Sequence, residues 1–414
     1  MLGLVYPSVC ASLALVSWLI APGLWTLAQT AGALWLLSVV GRRITEELYA
    51  LIGGKHVDPK GKAVLITGCD SGFGLELAVR LHSRGMRVFA ACLLPDSLGA
   101  NKLRALSSSP SEEGRGSVHV IAPMDVTSDS QVDDAVQQVT KILASEGRRG
   151  AVSDGPPPHM CTTYAGRTDK EDDQGAGRPD GDDGGVAEAP QLWALVANAG
   201  VIWASELEWG SLEPMRRMLE VNAVGVARTV RAFLPMVRRT KGGRVVITTS
   251  LWGYFAIPFS VAYSMSKCAA RFFADGLRRE MKKFGVRVVS IEPNMYATNL
   301  TADAILLPAM DKLWQETSEE VRRDYGQGYY ELSRQYLRRA LVKSRTEIHE
   351  VVDAMEAAVL ARRPRFAYRP DGPLRALQFG MLEMAPPIVQ DAFLIRDTQP
   401  PASTLPGNRG IARG

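Results

Sequence analysis

The 414-residue chain has five cysteines, Cys10, Cys69, Cys92, Cys161 and Cys268, and no two are spaced as CxxC. An odd, scattered set argues against a disulfide framework or a cysteine zinc site and points to a reducing compartment for the catalytic part. The five histidines, His56, His82, His119, His159 and His349, show no HExxH or related ligand spacing, so no metal is expected. The net charge of +4 is dispersed, without a Lys/Arg block or a basic stripe interleaved with aromatics, which sets nucleic acid aside as a partner.

From Met1 to Gly41 there is no Asp, Glu, Lys, Arg or His at all. A bilayer core about 30 Å thick takes about 20 apolar residues in a helix, and Pro22-Gly23 divides this run into two stretches near that length. Residues 1–41 are therefore read as a membrane anchor, either one transmembrane segment or a helical hairpin. No positive leader and no Arg-rich amphipathic pattern precedes Arg42, which disfavours a cleaved signal peptide and a mitochondrial presequence. Arg42 and Arg43 directly follow the apolar run and favour a cytosolic face for what comes after.

A linker is assigned to residues 42–60. Beyond it, short apolar runs alternate with helical patterns: AVLITG (63–68), RVFAAC (87–92), VHVIAPMD (118–125), LWALVANAG (192–200), RVVITTS (244–250) and VRVVSIEP (286–293). Runs that are apolar throughout, rather than alternating, belong to parallel strands covered by helices on both faces, so the expected fold is a doubly wound α/β domain over 61–370. Residues 147–190 interrupt the rhythm. Crowded with Gly, Pro and acids, and with Tyr164 as the single aromatic, this segment buries too little apolar surface to offset its chain entropy and is expected to be a disordered insertion. Residues 371–414 are read as an apolar C-terminal segment followed by a flexible tail.

The first run leads into TGCDSGFGLELAVRLHSRG, with Gly68, Gly72 and Gly74 ahead of an amphipathic helix. Glycines there permit a tight turn and let the backbone and a helix N-terminus approach a pyrophosphate. Tyr263 and Lys267 are four residues apart, a spacing that places them on one helix face. Chance alone yields roughly 0.3 such pairs in a chain of this composition, so the pair gains meaning only from its context. A lysine ammonium beside the phenol is expected to draw its pKa down from about 10, making Tyr263 a general acid/base. Ser250, at the end of the preceding strand, is positioned to hold the same substrate oxygen, and Asn222 to relay a water to Lys267.

In this order and spacing, Gly68-x-x-x-Gly72-x-Gly74, Asn198-Ala199-Gly200, Asn222, Ser250 and the Tyr263/Lys267 pair resemble the short-chain dehydrogenase/reductase family, over about residues 61 to 370. The resemblance implies a Rossmann-like sheet, a catalytic tetrad of Asn222, Ser250, Tyr263 and Lys267, and a cofactor site. That site would comprise Gly68, Asp70, Ser71, Gly72, Phe73, Gly74, Asp125 at the adenine, Asn198, Ala199, Gly200, Tyr263, Lys267, Pro293 and Thr298 at the nicotinamide carboxamide. VLITGCDSGFG, LWALVANAG, FLPMVRRTKGGRVV and RRDYGQGYY are similar to the membrane-associated branch that contains retinol, 17β-hydroxysteroid and 3-hydroxybutyrate dehydrogenases. Two positions depart from the family pattern: NNAG reads Ala197-Asn198-Ala199-Gly200, and Pro-Gly reads Pro293-Asn294.

The expected activity is hydride transfer between a nicotinamide and an alcohol or ketone. The apolar segment from Leu300 to Tyr336 is read as a lid, and with the anchor it points to a hydrophobic steroid, retinoid or lipid alcohol. The alternatives are a short hydroxy acid as substrate, or a catalytically silent, membrane-tethered NAD-binding scaffold. NAD is favoured over NADP, because Cys69-Asp70-Ser71 and Ala91-Cys92-Leu93-Leu94 offer no cation for a 2′-phosphate. The endoplasmic reticulum membrane is expected before the mitochondrial one. Self-association is left open.

Overall fold

The computed structural model describes residues 56–108, 116–150, 191–395 and 400–406, with a few helical residues between 26 and 41. All six apolar runs form strands: β1 (Lys62–Thr67), β2 (Arg87–Ala91), β3 (Val118–Ile121), β4 (Gln191–Ala197), β5 (Arg244–Thr248) and β6 (Arg287–Ile291). Each strand stops short of its run's carboxyl end, and the residues left over form the loops that carry the site. A two-residue strand, β7 (Ala367–Tyr368), joins the edge and is too short to have been read from the sequence. The sheet order is β3-β2-β1-β4-β5-β6-β7, parallel throughout. This is the expected Rossmann-like arrangement. The order reverses between β1 and β4, where a doubly wound sheet opens a crevice at the carboxyl ends of its strands.

Parallel strands require crossovers, supplied by α1 (Gly72–Ser83), α2 (Leu98–Ser108), α3 (Asp129–Gly150), α4 (Glu213–Leu219), α5 (Gly225–Arg238) and α6 (Val261–Met281). After β6 come α7 (Asp303–Glu316), α8 (Glu319–Tyr325), α9 (Gln327–Val342), α10 (His349–Leu360), α11 (Pro373–Glu383) and α12 (Pro387–Leu394). Side-chain alternation divides the sheet's two faces. Val64, Ile66, Val88 and Val246 pack with Leu77 and Leu81 of α1 and Val351, Met355 and Val359 of α10. Leu65, Phe89, Leu195 and Ile247 pack with Val139 of α3, Phe233 and Val237 of α5 and Leu277 of α6. Each such side chain contributes about 1.5–3 kcal/mol on burial, so both layers hold the strand ends in register.

Two smaller clusters lie beyond the sheet. Leu306, Leu307, Met310 and Trp314 of α7 and Tyr329 and Leu337 of α9 gather around Ala204, Trp209 and Phe259. Phe379, Leu382 and Leu394 of α11 and α12 cover Leu251 and Phe255, in the loop after β5. The apolar stretch 373–395 therefore packs on the loop that follows Ser250.

The α3 helix continues to Gly150, into the first residues of the expected insertion. Residues 151–190, and most of the expected anchor and linker, lie outside the described residues. Of that linker, Val57 donates its N–H to Leu360 O at 2.8 Å, fastening the start of the domain to the end of α10. Among the described residues no helix is long and apolar enough to cross a membrane.

Candidate active site

The glycine-rich turn sits at the β1/β4 reversal. Gly68 and Gly72 have φ of 73° and 60°, in the left-handed region that glycine enters without strain. At Gly74 a Cβ would stand 2.3 Å from Gly68 O, and at Gly68 one would stand 2.9 Å from Ala199 Cα. The turn is thus pressed against the Asn198-Ala199-Gly200 loop. Ser71 precedes α1 without a side-chain capping bond, and the first turn of α1 carries no acid. Its N–H groups remain suited to an anion. Phe73 meets Tyr296 edge-on, with centroids 5.9 Å apart.

Thr67, which the sequence reading passed over, ties the crevice together. Its hydroxyl accepts the N–H of Asn198 and of Ala199, both at 3.0 Å, while Asn198 Nδ2 donates to Thr67 O at 3.0 Å. Thr248 Oγ1 adds a bond to Asn198 Oδ1 at 3.3 Å. Asp125, beyond β3, accepts from Thr127 Oγ1 at 2.7 Å and from Arg217 Nη2 at 3.3 Å. Burial works against its ionised form, but these donors prevail and hold the carboxyl below its ordinary range.

The four expected catalytic residues are buried together. Asn222 lies in a π-helical turn, Glu220–Val224, between α4 and α5. Such single-turn bulges re-aim side chains and recur at functional sites. Its Oδ1 accepts from Val201 N at 2.8 Å, and its Nδ2 donates to Val201 O and Ser266 Oγ, both at 2.9 Å. The side chain therefore fixes the loop after β4 to α6. Ser250 Oγ donates to Pro293 O at 3.1 Å and accepts from Trp252 N at 3.2 Å, and its hydroxyl is near enough to Tyr263 to favour the ionised phenol. Lys267 Nζ donates to Thr248 O at 3.0 Å and stands 5.8 Å from the centroid of the Tyr263 ring.

The expected fall in the Tyr263 pKa does not occur in the protein alone. Burial pushes the phenol up to about 12, only partly offset by Ser250, and brings Lys267 down to about 8. Desolvation disfavours the charged form of both groups and here outweighs their proximity.

Thr298 faces the glycine-rich turn, since a Cβ on Gly72 would lie 3.6 Å from Thr298 Cβ. Its N–H donates to Thr301 Oγ1 at 3.0 Å. The fold thus brings Thr298, Pro293, the turn and the buried tetrad to one end of the sheet. Residues 62–146 and 184–305 match the family model described as short chain dehydrogenase. The chain belongs to the short-chain dehydrogenase family. The match pauses inside the segment expected to be an insertion.

This dehydrogenase is 33% identical to the mitochondrial D-beta-hydroxybutyrate dehydrogenase of Rattus norvegicus over 312 residues, 75% of this chain and 77% of that one. It is 32% identical to 17-beta-hydroxysteroid dehydrogenase type 6 of the same organism over 345 residues, 83% of this chain and 91% of that one. A short chain dehydrogenase/reductase from Burkholderia phymatum, solved in complex with NAD, shares its fold with a TM-score of 0.54 at 21% identity, covering 84% of this chain and 99% of that one. The dehydrogenase is accordingly an oxidoreductase acting on CH–OH groups.

Its two departures from the family pattern have distinct settings. Ala197 is buried at the end of β4. Asn294 Oδ1 accepts the N–H of Met295 at 2.9 Å, and its Nδ2 donates to Asp371 Oδ2 at 2.8 Å. The side chain that replaces glycine is thus tied to a residue in the segment before α11.

Proposed function

We propose that this dehydrogenase transfers hydride between NAD and a hydrophobic alcohol or ketone, of the steroid, retinoid or lipid-alcohol class. The observation that carries the reading is Tyr263 and Lys267, one helical turn apart on α6 and buried together with Ser250, beside an uncapped, glycine-lined helix N-terminus. Bound NAD would supply a hydride acceptor or donor at its nicotinamide. The Gly68–Gly74 turn and the α1 N-terminus would hold its pyrophosphate, Asp125 its adenine end, and Asn198, Ala199, Gly200, Pro293 and Thr298 its nicotinamide end. Tyr263 takes the hydroxyl proton in oxidation and returns it in reduction, Ser250 holds the substrate oxygen, and Lys267 as a cation favours the phenolate. Asn222 keeps the loop after β4 and the tyrosine helix in register.

The substrate class rests on the apolar cluster in which Ile202 and Met295 pack beside Ala204, Phe259, Leu306, Leu307 and Met310. Glu206, in the same region, is an acid and would repel a carboxylate substrate when ionised; burial pushes its carboxyl up while it accepts from Tyr329 at 2.7 Å. Both features support a neutral apolar substrate over a short hydroxy acid. The uncharged residues 1–41 followed by Arg42 and Arg43 support anchoring in the endoplasmic reticulum membrane with the catalytic domain in the cytosol.

Membranes bearing the full chain, given NAD and a panel of steroid, retinoid and hydroxy-acid alcohols, test the reading through reduced nicotinamide. Turnover of an apolar alcohol is expected, with Tyr263→Phe slower by about 10²- to 10⁴-fold at unchanged NAD affinity. Preferred turnover of the hydroxy acid overturns the substrate class. Binding of NAD without any turnover returns the scaffold reading.

A further inference from the structure

In a doubly wound nucleotide site the 2′-hydroxyl of the adenine ribose meets the end of the second strand, where an acid commonly receives it. Here β2 ends in Ala91 and continues as Cys92-Leu93-Leu94, with no acid and no cation. An acid reaches that place from elsewhere. Asp70, in the glycine-rich turn, accepts the N–H of Leu93 through Oδ2 at 2.9 Å and the N–H of Leu94 through Oδ1 at 3.0 Å. The backbone of the same residue is bound in the same corner, since Gly99 N donates to Asp70 O at 3.1 Å. A Cβ on Gly99 would stand 2.4 Å from that oxygen, so the contact admits little slack.

Two successive backbone N–H groups directed at one point form an anion-binding concavity. Asp70 fills it with a carboxylate. The side chains of Leu93 and Leu94 are left exposed at the rim, 45% and 60%, offering neither charge nor hydrogen bond. Arg87 opens β2 at the opposite end of the strand, where its Nε donates to Ser117 Oγ at 3.3 Å.

We infer that Asp70 is the residue that sets cofactor choice in this dehydrogenase: its carboxylate occupies the anion concavity that a 2′-phosphate would need, and thereby excludes NADP. The inference rests on the nicotinamide-cofactor reading above and adds the residue responsible. Asp70 acts as a positioning residue for the loop after β2 and as a fixed negative charge toward a phosphate. An uncharged ribose hydroxyl meets no such opposition.

The test is equilibrium binding of NAD and NADP to the full chain in detergent, followed by intrinsic tryptophan fluorescence, with Asp70→Asn and Asp70→Ala beside the wild type. Asparagine keeps the shape and one acceptor while removing the charge; alanine frees both N–H groups. The wild type is expected to bind NAD more tightly, and each variant to narrow the NAD-to-NADP affinity ratio by roughly tenfold or more, the size of one charge-assisted contact. A general loosening of the loop would weaken both cofactors alike and leave the ratio unmoved. An unchanged ratio in Asp70→Asn, or a wild type that prefers NADP, overturns the inference while leaving the dehydrogenase reading intact. Failure of the wild type to bind either dinucleotide overturns both.

Discussion

Replacing Arg369 by methionine tests whether the C-terminal segment belongs to the catalytic unit. Arg369 follows β7, and its Nε lies 2.8 Å from Glu292 Oε2, with Nη2 3.2 Å from Glu383 Oε2. Glu292, 2% exposed, directly follows β6 and accepts the Tyr254 hydroxyl at 2.9 Å through its other oxygen. The Arg369 guanidinium also lies 4.3 Å from the centroid of the Tyr254 ring. Burial opposes the charge on Arg369, yet Glu292, Tyr254 and Glu383 overcome it and raise its pKa above the ordinary value.

Removing the cation leaves a buried carboxylate with one neutral donor, a loss of about 3–5 kcal/mol by comparison with other broken buried pairs. At about 2–4 °C per kcal/mol, the melting temperature falls by roughly 10 °C. Because Pro293 O accepts from Ser250 Oγ, the displaced strand end also lowers kcat. The assay is a fluorescence melt of the full chain in detergent, with Glu292→Gln/Arg369→Met beside the single variant. The double variant no longer buries an unpaired charge and is expected to recover part of the loss. A loss under about 1 kcal/mol, or a double variant no better than the single, would refute the reasoning.

Gly74→Ala places a methyl 2.3 Å from Gly68 O, so the turn must shift; NAD affinity and melting temperature both fall, and titration that finds normal affinity contradicts the packing. With Tyr263 held up to about 12 and Lys267 down to about 8, alcohol oxidation rises with pH and bends near pH 8 as Lys267 loses its charge, while carbonyl reduction declines. Profiles of kcat/KM from about pH 6 to 9 check this, and a slope shared with Tyr263→Phe removes the tyrosine from the proton step. Replacing residues 151–190, expected from sequence to be an insertion, by a short Gly/Ser linker is expected to leave turnover nearly unchanged; a large loss of activity shows that the segment is structural.

The strands were legible because apolar runs bounded by turns are a local signal, and the proposed tetrad because Asn222, Ser250, Tyr263 and Lys267 follow one another in a fixed order, the last two on a single helix. The π-helical turn at Asn222, the Thr67 hydroxyl and the Asn294–Asp371 bond leave no such trace. Their partners are far apart in the chain, 131 residues in the case of Thr67 and Asn198. Charge proximity on α6 was read correctly as geometry and gave the wrong sign for the Tyr263 pKa. Spacing reports neighbours but not the loss of water, and for a buried phenol the loss of water dominates.

The same distinction separates the reaction from the substrate. The family match ends at residue 305, having covered the turn, the tetrad and Thr298. The apolar side chains packed on the loops beside the site come largely from beyond it. Leu306, Leu307 and Met310 press on the loop after β4 from one side, and Phe379, Leu382 and Leu394 press on the loop after Ser250 from the other. Chemistry needs a few groups at fixed spacing, which short motifs encode. Recognition of an apolar molecule needs shape and dry surface, which many weak contacts supply and no motif encodes. In the proposed reading substrate choice is built by the segment after 305, and Arg369 and Asp371 are how that segment is held to Glu292 and Asn294, on either side of Pro293.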